Sequence, residues 1–487
     1  MKGVMMENWL TKRANLTPDR FAVRFADESL TFAQLQSRVL AIAGQLAQHL
    51  DDNPRVALIT PNELTGYLMI LAIQQLNKTV VLLNRRLSSR EMAFQLTDAA
   101  VTTVVQDNQF TAELTGVMQL TFAHVLATPA RTITPVADFD LDMVTSIMYT
   151  SGTTGNPKGV MQTFGNHFYS AVGSALNIGL QPDDVWLAAV PIFHISGLSI
   201  MMRSLIYGMG VVLYDHFDVP QINAELRAGH ITRISVVPVM LKALLADLPQ
   251  GVRYHERFQT MLLGGGPTDL TTLEKATTMG IDIVQSYGMT ETASQVIALD
   301  ANNATRKLGS AGKPLFPVEV RIQKAVLTDK VGRIQVKSPT LAVGYLNQPV
   351  KYAQAFVDGW FDTGDMGWLD DEGFLYIEGR EGDMISSGGE NVFPDEIESI
   401  YSQLDSIAQI SVVGVSDERW GAVPVAFVAF KDATTMSGDE LRAYGREYLA
   451  HYKVPAKFYA TTTFPRTASG KIQRHKLRDQ LTIAPLL

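Results

Sequence analysis

Two hydrophobic periods take turns along this chain. Over 30–50, apolar residues recur every three or four positions, as on a helix with one buried face, and Thr31 with Gln34 forms a capping box at its start. Residues 55–60 then read as a strand, 64–76 as a helix, 79–83 as a strand and 88–98 as a helix. Strand-like runs return at 144–149, 186–189, 211–214, 233–237 and 260–263. Such alternation predicts parallel and mixed sheets with helices covering their faces. Near Gly309 the rhythm changes. Short strands at 318–322, 332–337 and 373–377, separated by Gly, Pro and Asp turns, predict a β-rich subdomain. Two glycines and four charged residues crowd 378–383, which marks a boundary. Beyond it, 395–403 and 437–451 read as helices and 407–414 and 422–430 as strands. That is a compact α+β unit of about 100 residues. The expected plan is an α/β protein with a large N-terminal domain over 1–378, a hinge over 379–383 and a small α+β domain over 384–487.

The chain has 487 residues, too many for one core, with 46% apolar and 18% charged residues. Its net charge of −8 argues against nucleic acid as the main partner. It has no cysteine, so a disulfide framework, a thiol nucleophile and a thiolate metal site are all excluded. No targeting segment or membrane span stands out: the most apolar stretch, 198–214, carries Arg203 and Gly/Ser interruptions. The expected setting is cytoplasmic. Oligomeric state stays open, a homo-oligomer included.

The chemistry concentrates first at Tyr149-Thr150-Ser151-Gly152-Thr153-Thr154-Gly155-Asn156-Pro157-Lys158-Gly159. Glycines let backbone N–H groups converge on an anion, the hydroxyls donate to phosphate oxygens, and Lys158 adds a mobile charge. This is not a Walker A loop, because Pro157 stands where its second glycine belongs and Gly159 where its Mg²⁺-binding hydroxyl belongs. A dinucleotide G-x-G-x-x-G fails as well, after both Gly208 and Gly264.

Further segments fit a nucleotide. Gly264-Gly265-Gly266 follows an apolar strand and would let backbone approach a flat ligand. Ser286-Tyr287-Gly288-Met289-Thr290-Glu291 offers an aromatic face for a purine, a hydroxyl for a phosphate and a carboxylate for Mg²⁺. Asp365, in Thr363-Gly364-Asp365, could accept from two ribose hydroxyls or could be a hairpin-turn aspartate. Lys471 closes Ala468-Ser469-Gly470-Lys471 within a basic stretch.

In this order the motifs resemble those of the adenylate-forming superfamily of acyl- and aryl-CoA ligases, luciferases and peptide-synthetase adenylation domains. The resemblance spans nearly the whole chain. It implies an ATP- and Mg²⁺-dependent enzyme that makes an acyl-adenylate and passes the acyl group to a thiol. It further implies that Thr150, Ser151, Gly152, Thr153, Thr154, Gly155 and Lys158 hold phosphates. Thr290 and Glu291 would serve the α-phosphate and the metal. Asp365 and Arg380 would bind ribose, and Lys471 would bridge the carboxylate and α-phosphate. Gly382 and Asp383 would be the hinge. His194 stands where the peptide-synthetase branch carries an aspartate for its amino-acid ammonium, which disfavours an amino acid and points to coenzyme A as the thiol. His194, Gly388 and Gly389 would then line the pantetheine channel. The segments 162–167, 174–177, 191–198 and 285–292 resemble the ligases of menaquinone synthesis, whose substrate, 2-succinylbenzoate, is activated at its succinyl carboxylate. His194, Ser196, Arg203, Ser286 and Thr292 would shape the acyl pocket. Arg203 would hold the benzoate carboxylate, unless it snorkels to solvent from a helix edge. Another aryl- or medium-chain acyl-CoA ligase, or a silent binding protein of the same fold, stays open.

Overall fold

The computed structural model describes residues 3–150, 157–249, 251–266, 268–324, 330–387, 390–418, 420–431, 435–466 and 472–481. The chain packs as two compact units, 1–319 with 337–359, and 320–336 with 360–487.

In the larger unit, strands Arg55–Ile59, Thr79–Leu83 and Thr103–Gln106 run parallel within a seven-stranded sheet. Side-chain alternation sorts their residues between two cores. Val56, Leu58, Val80 and Leu82 enter one, while Ala57, Ile59, Val81 and Leu83 enter the other. Both faces are therefore dry, and these strands read as continuous apolar runs. Helix Leu64–Gln75 is buried all round, whereas Phe32–Leu46 buries one face and starts with the Thr31–Gln34 capping box. The sheet's far side is a hairpin: Val144–Thr150 pairs antiparallel with Lys158–Thr163, with Lys158 opposite Thr150.

A second sheet of this unit carries the parallel strands Gly210–Leu213, Val185–Ala188, Arg233–Val236, Thr260–Leu263 and Ile283–Met289, neighbours in that order. It turns antiparallel at Ser294–Leu299 and Ser310–Pro314. Their C-terminal ends release the loops that matter below, the usual place for ligands in such sheets. Helices Phe164–Ile178 and Ile195–Tyr207 belong to this unit as well.

In the smaller unit, Gly332–Lys337, Trp360–Leu369 and Leu375–Arg380 form an antiparallel run. Strands Ile407–Asp417 and Gly421–Phe430 form a long hairpin, with Lys457–Ala460 parallel to the second, packed by helices Pro394–Tyr401 and Gly438–Tyr448. The strand expected at 373–377 lies at Leu375–Arg380, so Glu378, Gly379 and Arg380 close a strand, and the turn Glu381–Asp383 follows it. Ser310–Pro314 pairs with Ser294–Leu299 in the larger unit, while 320–336 packs with 360–487.

Candidate active site

Thr150 and Lys158 face each other at the end of the hairpin where the chain crosses between its strands, and Ser151, Gly152, Thr153, Thr154 and Gly155 lie outside the described residues. The ammonium of Lys158 stands 4.7 Å from the centroid of the Tyr345 ring. The Tyr345 hydroxyl donates to Glu291 Oε1 at 2.9 Å. Tyr345 thus touches the hairpin lysine with its face and the candidate metal ligand with its hydroxyl. No motif spacing pointed to it. Short strand Gly344–Tyr345 holds it in place, paired with Val160 and Met161.

Glu291 sits in a single 3-10 turn, Thr290–Thr292, directly after strand Ile283–Met289. The turn is tied down on several sides. Gln162 donates its amide to the Thr290 carbonyl, and Ala342 N–H donates to the Glu291 carbonyl at 2.8 Å. Thr292 closes the turn. It is fully buried, and its hydroxyl accepts from Met289 N–H at 2.9 Å and lies 2.7 Å from the Ser294 carbonyl, so it holds the turn. Ala293 and Ser294 follow with φ of 50° and 109°, a backbone that side-chain-bearing residues seldom adopt. Ser170 donates to the Ala293 carbonyl at 2.7 Å and helps fix this bend.

Gly264, Gly265 and Gly266 leave strand Thr260–Leu263, with φ of 82° at Gly265. Ser286 donates to the Leu263 carbonyl at 3.0 Å, so its hydroxyl secures the strand end that launches the glycine run. Tyr287 and Gly288 lie in the next strand. A Cβ on Gly288 would fall 2.1 Å from the Ser294 carbonyl, so the hairpin needs glycine there.

Three of the acyl-pocket candidates, His194, Ser196 and Arg203, lie at helix Ile195–Tyr207. His194 precedes it as its N-cap residue without a side-chain cap bond, and Ser196 is exposed in its first turn. The Nε2 of His194 is buried without a partner, and burial, with Arg86 nearby, pulls its pKa down to about 4. It is a neutral ring at pH 7. Arg203 does not snorkel. It is 1% exposed, reaches Ser294 Oγ at 3.2 Å and lies 5.4 Å from the Trp186 ring centroid. Its Nε has no partner, and among the described residues no carboxylate pairs with it. His167 is also buried and neutral, lowered to about 3 by burial and by Arg203. The Ser146 hydroxyl donates to Gln162 Oε1, so His167 must donate to Ser146 through Nε2, at 3.0 Å. His167, Ser146 and Gln162 thereby form a chain of buried hydrogen bonds ending at the Thr290 carbonyl.

In the smaller unit, Asp365 is a strand residue and not a turn aspartate. It lies opposite Arg380, whose Nε donates to Asp365 Oδ1 at 2.9 Å. Gly364, with φ of 73°, bends the strand beside it. Gly382 and Asp383 form the turn that follows. Gly382 is exposed with open space where a Cβ would go. Asp383 accepts from Arg474, which also binds Asp395 and Glu398. Gly388, Gly389 and Lys471 lie outside the described residues.

Residues 10–346 match the AMP-binding enzyme family, and 396–471 match the AMP-binding enzyme C-terminal domain. The chain belongs to the AMP-binding enzyme family. Its likeness to 2-succinylbenzoate–CoA ligases runs end to end. It is 44% identical over 476 residues to the one from Listeria monocytogenes, covering 98% of this chain and 99% of that protein. It is 45% identical over 478 residues to the one from Geobacillus kaustophilus, covering 97% of each. The o-succinylbenzoate CoA synthetase of Bacillus subtilis in complex with the acyl-adenylate intermediate matches with a TM-score of 0.94 and 41% identity, covering 98% of this chain and 99% of that one. The same enzyme with ATP and magnesium ion matches at 0.93 and 40%, covering 98% and 100%. The fold is therefore that of the adenylate-forming ligases. Among the described residues no helix is long and apolar enough to cross a membrane. Nor do three His, Asp or Glu converge there as a metal cage. A lone carboxylate such as Glu291 suits Mg²⁺, which is commonly held by one or two carboxylates together with substrate phosphates.

Proposed function

We propose that this chain is an ATP-dependent acid–thiol ligase that activates the succinyl carboxylate of 2-succinylbenzoate as an acyl-adenylate, releases pyrophosphate and transfers the acyl group to coenzyme A. The family and the near full-length relatives support the reaction. One structural observation supports the substrate: Arg203 is a buried guanidinium that no carboxylate balances among the described residues. Such a group is costly unless an anion meets it, and the benzoate carboxylate would supply one.

The residues take the following roles. A carboxylate attacks the α-phosphorus of ATP, so two anions must approach. Lys471 bridges them and Lys158 offsets charge on the outer phosphates, with Thr150, Ser151, Gly152, Thr153, Thr154 and Gly155 donating around those phosphates. Thr290 holds the α-phosphate. Glu291, oriented by Tyr345, holds Mg²⁺, which neutralises phosphate charge when bound. Gly264, Gly265, Gly266, Ser286, Tyr287 and Gly288 border the base, and Asp365 with Arg380 takes the ribose. His194, a neutral ring, borders both acyl group and thiol, with Gly388 and Gly389 along the pantetheine and Ser196 at the pocket rim. Thr292 supports the pocket through its turn. Residues 384–487 then swing about 379–383, removing Lys471 once the adenylate exists and admitting the thiol.

Pyrophosphate release over a panel of carboxylic acids tests this reading. A kcat/KM for 2-succinylbenzoate far above those for benzoate and medium-chain acids is the expected result. Equal use of the others would reassign the substrate, and no release with any acid would reject the enzyme.

A further inference from the structure

Asn62 lies between strand Arg55–Ile59 and helix Leu64–Gln75, and it is 4% exposed. Its side chain is committed to a loop of the other sheet. Nδ2 donates to the Ala188 carbonyl at 3.3 Å and to the Val190 carbonyl at 2.9 Å, and Oδ1 accepts from Ile192 N–H at 2.8 Å. That loop carries the chain from the end of strand Val185–Ala188 to His194. On its other side, Gly197 packs so closely that a Cβ there would fall 2.3 Å from the Pro191 carbonyl. The loop is thus gripped from two directions, by an amide and by a helix backbone.

The grip matters because His194 does not anchor itself. Its Nε2 has no partner, its side chain makes no cap bond, and its ring merely leans on Phe193 at 4.7 Å. The ring goes where its backbone puts it, and Asn62 fixes that backbone within two residues. The bonding pattern demands an amide. Ala188 and Val190 present acceptors and Ile192 presents a donor, so neither an acid nor an amine satisfies all three.

We propose that Asn62 is a positioning residue for the thiol-transfer step, acting through His194. The inference rests on the reading of His194 as a wall of the thiol route. It is tested in four proteins: wild type, Asn62→Ala, His194→Ala and the double variant. Two rates are measured on each, pyrophosphate release from acid and ATP, and thioester formation from supplied acyl-adenylate and CoA. Loss of the buried hydrogen bonds to this loop should slow thioester formation about 10- to 100-fold in Asn62→Ala. Pyrophosphate release should change less than about threefold, and adding Asn62→Ala to His194→Ala should cost nothing further. Equal loss in both half-reactions, or a double variant whose losses multiply, overturns the proposal. His194→Ala with a normal thioester rate sinks the reading of His194 and this proposal with it. A slow His194→Ala beside a normal Asn62→Ala sinks this proposal alone. Should the alanine fail to fold, Asn62→Leu, which keeps most of the volume without burying a charge and loses all three hydrogen bonds, is read by the same criteria.

Discussion

Replacing Arg203 by leucine should separate stability from activity in a way that ordinary core damage does not. The guanidinium is 1% exposed and meets Ser294 Oγ and the face of Trp186, with no carboxylate among the described residues. Burial lowers its pKa, although Tyr207 pulls the other way. Leucine is shorter than arginine and leaves part of the volume unfilled, but an apolar replacement of an uncompensated buried charge removes a desolvation cost of several kcal/mol and forfeits about 1–3 kcal/mol of hydrogen bond and cation–π contact. The unliganded variant should therefore be as stable as wild type, or more stable by about 1–2 kcal/mol. The bound substrate should lose its buried charge pair, a truncation worth about 2–5 kcal/mol. At 1.4 kcal/mol per decade that is about 30- to 3,000-fold in kcat/KM.

The assay is pyrophosphate release with 2-succinylbenzoate and with its analogue lacking the ring carboxylate, alongside a thermal melt without ligands. Wild type should prefer the diacid strongly, and Arg203→Leu should treat the two acids alike. A variant that melts well below wild type and loses both substrates equally would mean that Arg203 is a packing residue. A variant that keeps the preference would refute the anchor outright.

Other expectations follow from the same geometry. Lys471→Ala should slow adenylation about 100- to 1,000-fold, the scale of a lost electrostatic donor, and spare thioester formation from supplied acyl-adenylate; a wild-type first half-reaction would remove the lysine from the mechanism. Gly382 has open space around it and a φ outside the left-handed region, so Gly382→Ala should be silent in both half-reactions, while Gly382→Pro should retain adenylation and stall thioester formation. Equal losses in Gly382→Pro would argue against a hinge there. Tyr345→Phe keeps the ring under Lys158 but removes the hydroxyl from Glu291, and should raise the Mg²⁺ requirement about tenfold, since a hydrogen bond to a charged group contributes about 1.5–3 kcal/mol; an unchanged Mg²⁺ titration would detach Tyr345 from the metal. His167, held neutral by burial to about pH 3, binds no proton in the folded state where the unfolded chain begins to bind one below about 6.5. Stability should fall as pH drops, by about 2 kcal/mol between pH 7 and 5 from this residue. His167→Gln should flatten that slope in denaturant titrations at the two pH values, and an unaltered slope would mean another group carries it.

What the sequence disclosed and what it withheld divide along physical lines. Strand Thr79–Leu83 and the capping box of helix Phe32–Leu46 could be read directly, because alternation and caps are local and each residue carries its own signal. Tyr345 and Asn62, which no motif singles out, make their contacts at long range. Tyr345 meets Glu291 across 54 positions, and Asn62 meets Ile192 across 130. Nothing in either neighbourhood announces the partner. Thr292 stands beside Glu291 in the chain, but a tight turn sends adjacent side chains to different places, and its hydroxyl closes the turn itself. Asp365 looked like a turn because Thr-Gly-Asp is turn chemistry. Here Gly364 supplies a kink inside a paired strand, which leaves the aspartate buried against Arg380. Arg203 was the informative intermediate. An arginine among Ile200, Met201, Met202, Leu205 and Ile206 is a local anomaly visible in the letters. Only the fold could decide between a charge that escapes to water and one that waits in the dark, and the difference is the whole of the substrate argument.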